Sequence, residues 1–125
     1  MDKVDNVVSI PVGSVEKVFR YWLEFLRPFH KLTDREMDVL ACFLRHRYEL
    51  GKVVKDIALL DQILMNEDTR RQIREECKIT QSHFQVVMTS LRKNKVVSDN
   101  KINPRFIPRI KEDSHNFQLL LMFTY

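Results

Sequence analysis

Between Thr80 and Arg92 the chain sets short polar side chains at a spacing that would gather them on one side of a helix: Thr80, Gln81, Ser82, His83, Gln85 and Thr89. A glutamine carboxamide carries a donor and an acceptor side by side, the pair that matches the N6 and N7 edge of adenine. Serine, threonine and histidine bond bases or phosphates less selectively. Cations follow at once, with Arg92, Lys93 and Lys95 at the far end of the helix and Lys101, Arg105, Arg109 and Lys111 beyond it. From Thr69 to Lys111 eleven Lys/Arg stand against three Asp/Glu, a net charge of +8 that leaves −4 for the rest of the chain. A charge run alone is as often a solvated face as a phosphate-binding one. Joined to a polar helix face, it points to nucleic acid.

Other chemistries find little footing. There is no HExxH, no GxxxxGK[ST] and no GxSxG, and no Cys or Ser stands at a recognisable spacing from His and Asp, so no enzyme and no cofactor are expected. Cys42 and Cys77 lie far apart in sequence and outside any CxxC pattern. They read as two buried free thiols, with Cys77 a stand-in for an apolar residue, and neither a disulfide framework nor a zinc site is suggested. His30, His46 and His115 are scattered, which argues against a metal site. His83 reads equally well as a phosphate contact, a pH-sensitive group or an ordinary surface histidine. No apolar run approaches the roughly 18 residues of a membrane span, and Met1 to Pro11 lacks the apolar core of a signal peptide, so a cytoplasmic protein without a membrane partner is expected.

The elements that must position these residues follow from apolar spacing and caps. The 125 residues, 44% of them hydrophobic and only two of them glycine, suit one domain over 1–125. Val4 to Val12 reads as a short strand or arm. Ser14 can cap a helix bearing Val15, Val18, Phe19, Trp22, Leu23 and Leu26 until Pro28 stops it. That stripe packs either on the domain's own core or against a second copy. Thr33 with Glu36 is a capping box that opens a helix carrying Met37, Leu40, Phe43, Leu44 and Tyr48, with Gly51 as its stop. Val53 to Met65 reads as a further helix, with a short strand as the alternative. Asn66 and Thr80 can each cap one more helix, the second burying Phe84, Val87, Met88 and Leu91. Asn94 tolerates the left-handed conformation needed to leave that helix, and Val96 and Val97 suggest a strand edge. Lys101 to Ile110 and Phe117 to Tyr125 then read as a hairpin around a polar tip at Lys111 to Asn116, its pairing shortened by Pro104 and Pro108.

The stretch IREECKITQSHFQVVMTSLRKNKVV, Ile73 to Val97, resembles the helix-turn-helix of the MarR-like winged-helix regulators and of related plasmid and phage replication proteins. Ile73 and Cys77 match the inward residues of the first helix, Ile79 the apolar turn position, and Thr80 the cap of the recognition helix. The likeness covers about half of the chain well, and a fuller match would make Ser14 to Leu26 a dimerising helix. It implies an α+β fold, a mostly helical winged helix-turn-helix with a C-terminal β-hairpin wing, and residues 1–30 as an N-terminal arm and helix. The implied function is binding of double-stranded DNA, with a homodimer possible, as a transcription regulator or replication accessory factor. The recognition helix would enter the major groove and the wing would ride on the backbone. Lys78 and Lys95 depart from the pattern at turn positions that usually hold glycine, and Val86 stands where a base-contacting arginine is common. With no arginine on the first two turns, the guanine contact of that family is missing and shape-based or nonspecific binding gains ground. The competing expectation is a winged helix used as a protein-interaction module or structural adaptor in a larger assembly, for example a phage one.

Overall fold

The computed structural model describes residues 7–111 and 116–125. Val7 to Val12 forms neither helix nor strand, and Gly13 takes a left-handed φ of 87° just before the first helix. The remainder of the arm, Met1 to Asn6, lies outside the described residues, as do most of the expected hairpin tip and His115.

Six α-helices follow in order among the described residues. α1 is Val15–Phe25, α2 Arg27–His30, α3 Asp34–Gly51, α4 Ile57–Leu64, α5 Glu67–Cys77 and α6 Gln81–Lys93. Most of their starts are chemically marked. Thr33 and Glu36 close a reciprocal capping box on α3, with Thr33 N–H donating to Glu36 Oε1 at 2.9 Å. Asp56, Asn66 and Thr80 accept from the first-turn amides of α4, α5 and α6. Ser14, expected to cap α1, makes no such bond. Pro28 does not end the helical path: Leu26 breaks α1 at φ −93°, ψ 4°, and Pro28 sits in the first turn of α2, where its missing N–H costs nothing. Val53 to Met65 is helical only from Ile57, and no strand forms there.

α3 is the central helix, with α1, α4, α5 and α6 all packed on it. Its Met37, Leu40, Phe43 and Leu44 join Phe19 and Leu23 of α1, Leu64 of α4, Ile73 of α5 and Phe84, Val87, Met88 and Leu91 of α6 in one cluster of buried side chains. The Phe43 and Phe84 rings lie 6.1 Å apart, and Phe84 is fully buried. Truncating such a ring to alanine costs about 3–5 kcal/mol. α1 therefore spends Phe19 and Leu23, with Leu26 just past its end, on the chain's own core, while Tyr21 and Phe25 remain exposed.

The β-structure corrects the sequence-based expectation. The hairpin is short and comes earlier: β1 (Val97–Ser98) pairs antiparallel with β2 (Lys101–Ile102), in the register Val97↔Ile102 and Ser98↔Lys101. Asp99 and Asn100 form its two-residue turn with φ of 53° and 58°, both in the left-handed region that a turn of matching twist requires and that Asp and Asn tolerate. Past Ile102, Asn103 caps a 3₁₀ turn at Pro104–Phe106, and the chain to Lys111 runs without strand pairing. The prolines at 104 and 108 withhold the amides a longer ladder would need. Phe117 to Tyr125 forms no strand either. It is anchored where Phe117 meets Trp22 edge-on at 5.4 Å, and its residues beyond Phe117 are exposed. The described residues thus form a mostly helical α+β fold with one small antiparallel sheet.

Candidate nucleic-acid interface

α5 and α6 are joined by three residues, and the joint is built by a lysine. Lys78 adopts φ 54°, which lets Ile79 N–H reach back to Arg74 O at 3.1 Å and Lys78 N–H to Glu75 O at 3.2 Å, the pair of bonds that ends a helix in a Schellman turn. Thr80 then caps α6 by accepting from His83 N–H at 3.1 Å. At the other end of α6 the same device recurs: Lys95 takes φ 61°, Val96 N–H reaches Leu91 O and Lys95 N–H reaches Arg92 O. The left-handed residue is Lys95 and not Asn94, whose backbone stays at φ −86° and whose side-chain amide donates to Ser90 O at 2.9 Å. β1 follows directly, held to α6 by these bonds and by buried Val96 and Val97.

With about 100° per residue, Gln81, Arg92, Gln85, Thr89, Ser82 and Lys93 fall within an arc of roughly 120°, opposite the buried arc of Val87, Leu91, Phe84 and Met88. All six are exposed, as the spacing predicts. Val86 borders them as an exposed apolar residue, and His83 lies between the two faces. Thr89 uses its hydroxyl hydrogen on Gln85 O at 2.9 Å, leaving that oxygen's lone pairs to accept.

The cations divide into groups. Arg92, Lys93 and Lys95 are exposed at the end of α6, and no acidic side chain among the described residues pairs with them. The three arginines of α5 are occupied otherwise. Arg71 pairs with Asp68 at 3.2 Å, Arg74 pairs with Glu67 at 2.8 Å and lies 5.5 Å over the Phe84 ring, and Arg70 covers the same ring at 5.8 Å. Three of the eleven cations counted from Thr69 to Lys111 are thereby ion-paired or laid over a ring. Arg105 lies over the rings of Phe29 and Phe106, on the α1–α2 side, where Trp22 Nε1 also donates to Phe106 O at 2.8 Å. Lys101 and Arg109 line a cleft with Leu44, Tyr48 and Asp61, between the hairpin segment and α3–α4. Lys111 is exposed at the edge of the described chain. The structure so brings the α6 residues and Lys95 together, and sets Lys101, Arg105 and Arg109 in other surroundings.

A second constellation escapes the sequence. Cys42 and His46, one turn apart on α3, meet Glu76 and Cys77 of α5. Neither thiol is fully buried, which corrects the expectation of two inert core cysteines. Cys42 Sγ donates to Glu76 Oε2 at 2.9 Å, His46 Nε2 lies 3.0 Å from Glu76 Oε1, and Arg45 is paired with Glu76 Oε2. The bond with the Cys77 thiol and burial push the Cys42 thiol far up, whereas the same bond draws Cys77 down against its burial. His46 is raised, first by its bond with Cys42 and further by the Glu76 charge. Burial alone would raise Glu76, but the bonds from Cys42 and Arg45 outweigh it and hold the carboxyl below its usual range. The i,i+4 spacing of Cys42 and His46 was the only sequence signal of this cluster; its other half sits 30 residues and more away.

Among the described residues no helix is long and apolar enough to cross a membrane. Comparison of the chain with protein-family models, with curated proteins and with solved structures gives no match.

Proposed function

We propose that the chain is a winged-helix protein that binds double-stranded DNA, with α6 entering the major groove and the β1–β2 hairpin, shorter than the wing foreseen, resting beside the backbone. The observation that carries this is the outer face of α6: amides and hydroxyls at Gln81, Ser82, Gln85 and Thr89, continued by Arg92, Lys93 and Lys95 with no acidic partner among the described residues. Polar side chains at the entering end of a helix reach base edges, and unpaired cations at its flank meet phosphates. Gln81 and Gln85 favour adenine edges, and the lack of arginine in the first two turns leaves guanine without its strongest reader. A transcription regulator or replication accessory factor, as a monomer or as a dimer through exposed residues of α1, is the corresponding role. Titration of random duplex DNA by fluorescence anisotropy at several salt concentrations tests it. Binding that weakens steeply with salt is expected, and no binding at low salt overturns the proposal.

One observation favours a second reading, a protein-interaction module. Leu120 and Phe123 are 81% and 87% exposed in a segment of nine mostly apolar residues, 117–125, and contiguous exposed apolar surface commonly marks a protein contact. Failure of the DNA titration moves this reading to first place.

A further inference from the structure

The Cys42, His46 and Glu76 cluster plays no part in the proposed DNA contact, and its composition is that of a metal site. Cys42 and His46 share a face of α3 because they are four residues apart. Glu76 comes from the last turn of α5, and the two helices are held in place by core residues such as Phe43 and Ile73. One thiol sulfur, one imidazole nitrogen and one carboxylate oxygen lie within 4.8 Å of one another. We propose that Cys42, His46 and Glu76 bind a divalent cation of the zinc class, tying α3 to α5 and leaving the fourth coordination position to water.

Three physical features support this. The donor set is one borderline-soft sulfur, one imidazole and one carboxylate, which suits zinc and excludes the all-oxygen preference of magnesium or calcium. A tetrahedral ion with bonds of about 2.0–2.3 Å holds its ligand atoms roughly 3.3–3.8 Å apart. Cys42 Sγ and His46 Nε2 already reach the two oxygens of Glu76 at 2.9 and 3.0 Å, and with one atom from each residue the donors lie within 4.8 Å, so side-chain shifts of about 1–2 Å bring them to that spacing. A Cys42 thiolate and the Glu76 carboxylate bring two negative charges to the ion, and Glu76 is the group that Arg45 shares. Arg45 Nη2 now fills the space among these donors, paired with Glu76 Oε2 and 3.5 Å from His46 Nε2 and 3.9 Å from Cys42 Sγ; the ion takes that place, and the guanidinium swings outward, where it can keep Glu76 Oε2 and orient the carboxylate. Binding releases the Cys42 proton and requires neutral His46, so affinity falls as pH falls. Cys77 sits beside Cys42, hydrogen-bonded to it, but outside the three-ligand set.

The test is a cobalt(II) titration of the full chain without a purification tag, anaerobically and with a phosphine reductant that keeps both thiols reduced. The expected result is a one-equivalent site with a thiolate-to-cobalt charge-transfer band and the intense d–d bands of four-coordination, bleached by one equivalent of zinc. Cys42→Ser removes the charge-transfer band and weakens binding at least about tenfold, whereas Cys77→Ser keeps it. Helical circular dichroism of each variant reports folding. If Cys42→Ser fails to fold, Glu76→Gln serves instead, with the same tenfold loss expected. No charge-transfer band in the parent protein overturns the proposal. So does a band that survives Cys42→Ser and vanishes in Cys77→Ser, or a cobalt affinity unchanged by Glu76→Gln.

Discussion

Replacing Arg92 and Lys93 by alanine tests the docking face most directly, because the structure separates these two cations from those with other work. Both are exposed at the end of α6, and no acid pairs with them among the described residues, whereas Arg71 and Arg74 are held by Asp68 and Glu67. If each meets one phosphate, the double variant releases two fewer counterions per complex. The slope of log K against log salt then falls by about 1.8, which at 0.1 M salt, referred to a common intercept at 1 M, is a loss of about 60-fold. Anisotropy titrations of parent and variant across a salt series measure both quantities. Arg71→Ala is the internal control: its guanidinium is already paired, and its slope should change by well under one. The two cations also sit favourably at the negative end of the helix dipole, each worth about 0.3–1 kcal/mol, so a small drop in Tm is expected without loss of fold. An unchanged slope in a folded double variant would refute the assignment of this face.

Three further outcomes are expected. Gln85→Ala should narrow the gap between A·T-rich and G·C-rich duplexes by about 1–3 kcal/mol while leaving the salt slope intact, and a slope change without a change in preference would make Gln85 a backbone contact. Lys78→Gly should raise stability in urea by about 1 kcal/mol at constant m-value, because Lys78 holds φ 54° and glycine adopts that conformation without strain; no gain would mean that the lysine makes a compensating contact. His30 is fully buried, with Nδ1 accepting from Leu32 N–H at 3.0 Å and Nε2–H donating to Leu23 O at 2.7 Å, so it is neutral, and burial foremost holds it below its ordinary value despite the Leu23 bond. Its contribution is present above about pH 6.5 and is lost as pH falls through that value toward the depressed folded one, as the unfolded chain takes up the proton first. Of the charged groups around it, Arg27 and Arg20 add to the depression and Glu24, itself below its usual range, opposes it. Urea unfolding between pH 8 and 5 should therefore show a steeper acid-side loss with His30 than with His30→Gln. Both proteins should carry His46→Gln, since His46 is raised and titrates with the opposite sign. Equal pH dependence would refute the argument.

What the residues decided by themselves was local. Thr33, Asn66 and Thr80 mark helix starts because a short oxygen-bearing side chain satisfies an amide only a few residues away. Phe84, Val87, Met88 and Leu91 announce the buried face of α6, and hence its polar one, because that spacing is a property of the helix alone. The Asp99–Asn100 turn between Val97 and Ile102 rests on equally local grounds, yet the sequence reading placed the hairpin in the longer β-prone segments after it, which two prolines and the want of a paired partner leave unladdered.

Tertiary packing decided the rest. Which arginines remain available depends on what lies opposite them, so Arg74 is turned to Glu67 and the Phe84 ring while Arg92 is left to solvent. His30 is buried or exposed according to where α2 folds back, not according to its neighbours in sequence. The meeting of Cys42 and His46 with Glu76 and Cys77 exists only because α5 packs on α3. Hydrogen bonds and caps act over one turn of chain and can be read along it, whereas a cluster drawn from two helices is set by how apolar faces more than 30 residues apart close on each other.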